Sequence, residues 1–169
     1  MESIKYIVRA IIILLLQVLL IDRIELFGLC QPYIYILPLI LLPVRQPVWV
    51  DMLLGAALGG IIDVYSSTPG IHMSACVTLC YVRRWAIPHI VFAPERLKGE
   101  LSAQTLGGPQ MGQLTLLLIL LHHTIVFVLA AWSWQAIGWT LITIVLSTAV
   151  TWLLMAPYLF MHPHHRKRE

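Results

Sequence analysis

Apolar runs, broken by short polar or proline-rich stretches, set the plan of this chain. The first run, residues 4–21, is basic at its start and interrupted only by Gln17, which predicts an apolar helix. A second run, 29–44, carries Pro32, Pro38 and Pro43, each of which removes a backbone donor, so it is expected to span short or to bend back as a re-entrant hairpin. The third, 48–65, places Asp51, Gly55, Gly59 and Asp63 at a strict spacing of four. At about 100° per residue those positions drift only ~40° per step, so they form one ridge with small residues in the middle and an acid at each end. Such a ridge predicts close approach of another helix.

A turn follows at Ser66 to Gly70, where Ser67 or Thr68 is expected to cap a new helix with Pro69 in its first position. That fourth run, 69–82, is short, ~21 Å at about 1.5 Å per residue against about 30 Å of hydrocarbon. Arg83-Arg84-Trp85 is expected to end it, with 86–93 lying as an amphiphilic segment at the interface. A polar connection, 94–112, is expected to be mobile and, with 83–93, to form a cytoplasmic loop. Runs 113–131 and 136–160 are long enough to cross unaided, and the tail 161–169 is polar and basic.

Composition decides the solvent. Hydrophobic residues make up 59% and charged residues 11%, with a mean hydropathy of +0.84, far from the roughly 25% charged of a soluble domain. The expected fold is an all-α integral membrane protein of about six transmembrane helices, a single domain with no room for a large soluble catalytic core. Asp22, Arg23 and Glu25 stand where a cleavage site would follow a leader, so the first run is expected to be a retained helix. With six spans and a cytoplasmic amino terminus, ten of the eleven lysines and arginines fall inside and only Arg23 outside; a four-span chain moves only Arg45. Both termini are therefore expected in the cytoplasm, with Trp49, Trp85, Trp132, Trp134 and Trp139 near the interfaces.

The chemistry-bearing residues are few. Asp51 lies close to Arg45 and Trp49 and is expected to snorkel to the surface. Asp63 shares its face with Ala56, Gly59 and Gly60 and is expected to point into a tight contact and brace the Ser66 to Gly70 turn. A proton relay through it would need a partner at similar depth, and His72 is the one candidate. His122 and His123 diverge by about 100°, so they cannot face one ligand; one is expected to bond the hydroxyl stripe Thr140, Thr143, Ser147 and Thr151. The tail histidines His162, His164 and His165 sit beside Arg166-Lys167-Arg168 in a patch suited to anionic lipid. Cys76, Cys80 and Cys30 form no metal or disulfide pattern and read as small packing residues. Nucleophile elbows, phosphate loops and zincin helices are missing from the sequence, so no enzyme, cofactor or metal is expected.

The stretch Asp63-Val64-Tyr65-Ser66-Ser67-Thr68-Pro69-Gly70-Ile71-His72, preceded by Leu53-Leu54-Gly55-Ala56-Ala57-Leu58-Gly59-Gly60, resembles the signature of the MreD family, small membrane proteins of the bacterial rod-shape system. The basic amino terminus, the proline-rich second run with Leu42-Pro43, and the paired arginines after the fourth run also fit. The resemblance implies a non-catalytic scaffold of the bacterial cytoplasmic (inner) membrane, acting in cell shape and peptidoglycan synthesis. Its implied partners are an MreC-like single-span protein, the MreB filament, RodA and an elongation transpeptidase, within the lipid bilayer and without nucleic acid. It also implies a six-helix bundle similar to the substrate-binding subunits of energy-coupling vitamin transporters. Partner-binding or helix-packing residues would then be Asp51, Gly55, Gly59, Asp63, Thr68, Pro69, Gly70 and His72. The competing reading is a small-molecule-binding transporter subunit, with a site built from His72, Asp63 and the hydroxyls of the last run.

Overall fold

Among the described residues, five long helices pack largely in chain order around a mostly irregular segment that fills the space between them. The computed structural model describes residues 2–21, 30–92, 97, 101–131 and 137–161. Its helices are α1 (Glu2–Leu19), the single turn α2 (Leu37–Ile40), α3 (Val48–Ser66), α4 (Ile71–Ile90), the single turn α5 (Ala103–Leu106), α6 (Gly108–Ala131) and α7 (Ile137–Met161). The result is an all-α, multi-helix protein with the long apolar helices of a multi-span membrane protein. Among the described residues, three helices are both long and apolar enough to cross a bilayer: Val48–Ser66, Gly108–Ala131 and Ile137–Phe160. Their outward faces are apolar, with Val64 on α3, Val128 on α6 and Val145 on α7 all exposed, as lipid contact requires.

Segment 29–44 does not form one helix. After an extended stretch it makes a 3₁₀ turn at Ile34–Ile36 and then α2, and Tyr35, Ile36, Leu39, Ile40 and Leu42 are buried. Pro32, Pro38 and Pro43 explain why: a chain that repeatedly lacks donors cannot sustain a helical ladder. Irregular backbone at membrane depth must be satisfied by protein, and here side chains from three helices do so. Gln17 of α1 donates to the Pro32 carbonyl at 3.1 Å and accepts from the Ile34 amide at 2.8 Å. Tyr6 donates to the Pro38 carbonyl. From α7, Ser147 and Thr151 accept the amides of Gln31 and Tyr33 at 3.0 and 3.1 Å. From α4, Arg83 donates to the carbonyls of Ile40 and Leu42.

Two further boundaries differ from expectation. The helix after the turn continues through Arg83-Arg84-Trp85 to Ile90, 20 residues instead of a run stopping at 82. Arg83 is buried and paired inside the protein, so it does not draw the helix end to water. The amphiphilic pattern of 86–93 is carried by the end of this same helix, where Ala86 and Ile87 are buried and Pro88 and His89 exposed. The expected loop 83–112 therefore shrinks, because α5 forms under a capping box between Ser102 and Thr105 and α6 begins at Gly108 instead of Gln113. The remaining connection around 93–100, Arg23, Trp132, Trp134 and the tail histidines lie outside the described residues, Leu97 excepted.

Candidate functional site

Asp63 holds both ends of the α3–α4 turn. Its backbone carbonyl accepts the amides of Ser67 and Thr68, closing α3 through a left-handed Ser67 at φ 55°. Its carboxylate accepts four more donors: the Thr68 hydroxyl at 3.0 Å, the Gly70 amide at 3.1 Å and the amides of His72 and Met73 at 2.9 Å each. Three of those are amides at the start of α4, where free donors and the helix dipole both favour an anion. Neither Ser67 nor Thr68 caps α4, and Pro69 is not its first residue. Gly70 precedes the helix in a left-handed conformation, φ 85°, that an L side chain rarely adopts, and Thr68 donates instead of accepting. The cap comes from the previous helix because the tight turn brings Asp63 directly over the new amino terminus.

Below the turn the two helices touch through the glycine ridge. A Cβ on Gly59 would lie 2.6 Å from the His72 carbonyl oxygen and 2.7 Å from the Met73 Cα, and one on Gly55 would lie 2.9 Å from the Cys76 carbonyl oxygen. The helix that approaches this ridge is the chain's own α4. At its far end Asp51 does not snorkel beside Arg45. It is buried and forms an ion pair with Arg83 of α4 at 3.3 Å, while Gln46 donates to its other oxygen. The buried charge is tolerated there because each of the three guanidinium nitrogens of Arg83 meets either a carboxylate or a carbonyl.

The centre of the bundle is a cluster of rings. The Tyr35 hydroxyl lies 2.8 Å from His72 Nδ1 on α4 and 2.8 Å from His122 Nε2 on α6. The Cys76 Sγ stands 3.9 Å from both the hydroxyl and His122 Nε2. Tyr33 packs edge-on against His72 and His122, with centroids 5.2 and 5.8 Å away. His123 faces inward too, its Nδ1 2.9 Å from the Ile119 carbonyl and its Nε2 3.2 Å from the Thr151 hydroxyl. The His123 ring also meets the Gln31 backbone, so α6, α7 and the irregular segment all converge on it. His123 thus meets the hydroxyl stripe through Thr151, as expected of one of the pair, and His122 is buried as well: the two diverge to flank the intruding segment 30–36.

Of the residues expected at a site, Asp63, Thr68, Gly70 and His72 come together at the turn, Gly55 and Gly59 line the α3–α4 contact, and Asp51 lies at its opposite end. Pro69 is exposed and takes no part. Arg83, Tyr33, Tyr35 and Gln17 were not singled out by sequence reasoning. Gln17, the lone polar residue of its run, carried the one readable signal. Among the described residues no group of three His, Cys, Asp or Glu side chains has the geometry to hold a metal. Fold and core together fit the class of multi-pass α-helical membrane proteins: a helical bundle with three helices apolar and long enough to cross among the described residues, filled between its helices by its own irregular segment 30–42. The chain matches no family model, no curated protein and no solved structure.

Proposed function

We propose that this chain is a non-catalytic scaffold of a bacterial cytoplasmic membrane, binding an MreC-like single-span protein within the cell-elongation complex. In this reading it crosses the membrane about six times with both termini in the cytoplasm, in a bundle of the kind used by energy-coupling transporter subunits. The Ser66 to His72 turn faces the periplasmic side and meets MreC, while MreB, RodA and the transpeptidase join through the assembled complex. The observation that carries the proposal against the transporter reading is the position of Tyr33 and Tyr35. The segment bearing them occupies the space between α4, α6 and α7 and takes up His72, His122, Ser147 and Thr151 by hydrogen bonding. Those are the polar groups a small ligand would need.

The test is recovery of tagged protein in mild detergent, with identification of accompanying proteins and small molecules. A single-span periplasmic partner that is lost in Asp63→Asn and Gly70→Val variants which still accumulate supports the scaffold. A stoichiometric small molecule without such a partner replaces it with the transporter subunit. Gly59→Leu that alters neither abundance nor partner recovery removes the α3–α4 contact from the argument.

A further inference from the structure

The Tyr35 hydroxyl has one proton to give and stands between two ring nitrogens, so one imidazole must accept from it and the other must donate to it. The second nitrogen of His122, Nδ1, is buried and without a partner. A neutral imidazole with its proton there would bury an orphaned donor, which is rarer and costlier than an orphaned acceptor. The proton therefore sits on Nε2. His122 Nε2–H donates to the Tyr35 oxygen, the Tyr35 O–H donates to His72 Nδ1, and the His72 proton is on Nε2. This arrangement closes only with both rings neutral. A proton added at His72 Nδ1 leaves three hydrogens for two gaps. One added at His122 Nδ1 creates a buried cationic N–H with nothing to receive it.

The neighbours do not relieve that conflict. On α3, the Asp63 charge acts on His72 through space, but both its oxygens are committed to four donors, none of them an imidazole, and Asp51 is matched by Arg83. On α4, Cys76 lies at 3.9 Å and is at best a weak acceptor, with Cys80 one turn further on. On α6, His123 has both nitrogens engaged, and α7 presents the Ser147 and Thr151 hydroxyls, which already serve the segment. From α1 the facing groups are Tyr6 and Gln17, bound to backbone of the same segment, and within the segment Tyr33 offers its ring.

We propose that the His72–Tyr35–His122 bridge is an acid-released clasp: with neutral imidazoles it ties segment 30–42 to α4 and α6, and protonation of either ring frees the segment. Opening is coupled to proton uptake, so it grows as pH falls, by at most about tenfold per pH unit for each histidine that gains a proton.

The test is hydrogen exchange of the full chain in mild detergent between pH 7.5 and 5.5, read by mass spectrometry as protection relative to the intrinsic rate at each pH. Peptides covering 30–42 are expected to lose about tenfold in protection or more across that range, while peptides from α3 hold theirs. The double variant His72→Asn with His122→Gln places an amide at each contacting nitrogen and cannot take up the proton; its protection is expected to be flat with pH. Protection of 30–42 that is unchanged by acid in the unaltered chain overturns the clasp, as does a double variant that keeps the full loss. If the double variant does not accumulate, His122→Gln alone decides: a reduced pH dependence supports the clasp and an undiminished one overturns it.

Discussion

Gly59 faces the backbone of His72 at a distance no side chain fits: a Cβ there would lie 2.6 Å from the His72 carbonyl oxygen. Gly60, its neighbour, has nothing within 4 Å of the same position. Gly59→Ala is expected to push α3 and α4 apart at a cost of about 1–3 kcal/mol. Gly60→Ala is expected to be neutral or to gain up to about 1 kcal/mol from helix propensity. Unfolding midpoints of the two variants in the same detergent check the contrast, and equal midpoints would refute the close contact.

Asp63 is expected to be the most sensitive residue of the turn. Asp63→Ala strips an acceptor from three amides and a hydroxyl. With about 1–3 kcal/mol for each buried donor left unmet, the loss is expected to exceed about 3 kcal/mol even though part of the turn is exposed. Thr68→Val removes one of the four donors and is expected to cost about 1 kcal/mol. Chemical unfolding in mixed micelles orders the two, and a Thr68 variant as damaging as the Asp63 one contradicts the bond pattern.

The Asp51–Arg83 pair is buried on both sides. Asp51→Leu or Arg83→Met alone strands a charge and is expected to cost about 3–5 kcal/mol. The double change removes both charges and is expected to cost clearly less than the sum of the single changes, although Ile40 and Leu42 lose a donor to their carbonyls. A double-mutant cycle measures the coupling. Additive losses would mean that the two side chains do not act as a pair.

Thr151 serves two partners with one hydroxyl, accepting from the Tyr33 amide and pairing with His123 Nε2. Thr151→Val is expected to cost about 1–3 kcal/mol and to raise exchange at the Tyr33 amide. Thr143, half-buried and bonded to the Trp139 carbonyl of its own helix, gives the control: Thr143→Val is expected to stay within about 0.5 kcal/mol. Parallel melting curves and exchange at residue 33 decide it.

What could be read in the sequence followed from local periodicity. Helix α3 runs one residue beyond its expected end, α7 is helical from the first described residue after 136, and the stripe of hydroxyls does receive a histidine, through Thr151. Asp63 was legible as a brace because its turn is local. Asp51 was misread because its partner is 32 residues away, and Arg45, near in sequence, is the wrong arginine. The cap of α4 was misread because serine, threonine and proline in a row carry a strong local preference, yet a carboxylate from the preceding helix outcompetes them for the same amides. Segment 29–44 was legible as irregular from its prolines, but nothing in its pattern announces that Tyr35 reaches two helices 37 and 87 residues further on.

The backbone of segment 30–42 also sets an order of events during biogenesis. Gln31 and Tyr33 find their acceptors 116 and 118 residues later, on α7. At about 5–20 residues per second that is a wait on the order of ten seconds. Bare amides cannot pass that time against lipid tails. In a bilayer the early part of this chain would thus need shelter, from insertion machinery or in the headgroup layer, until α7 arrives and lets it close.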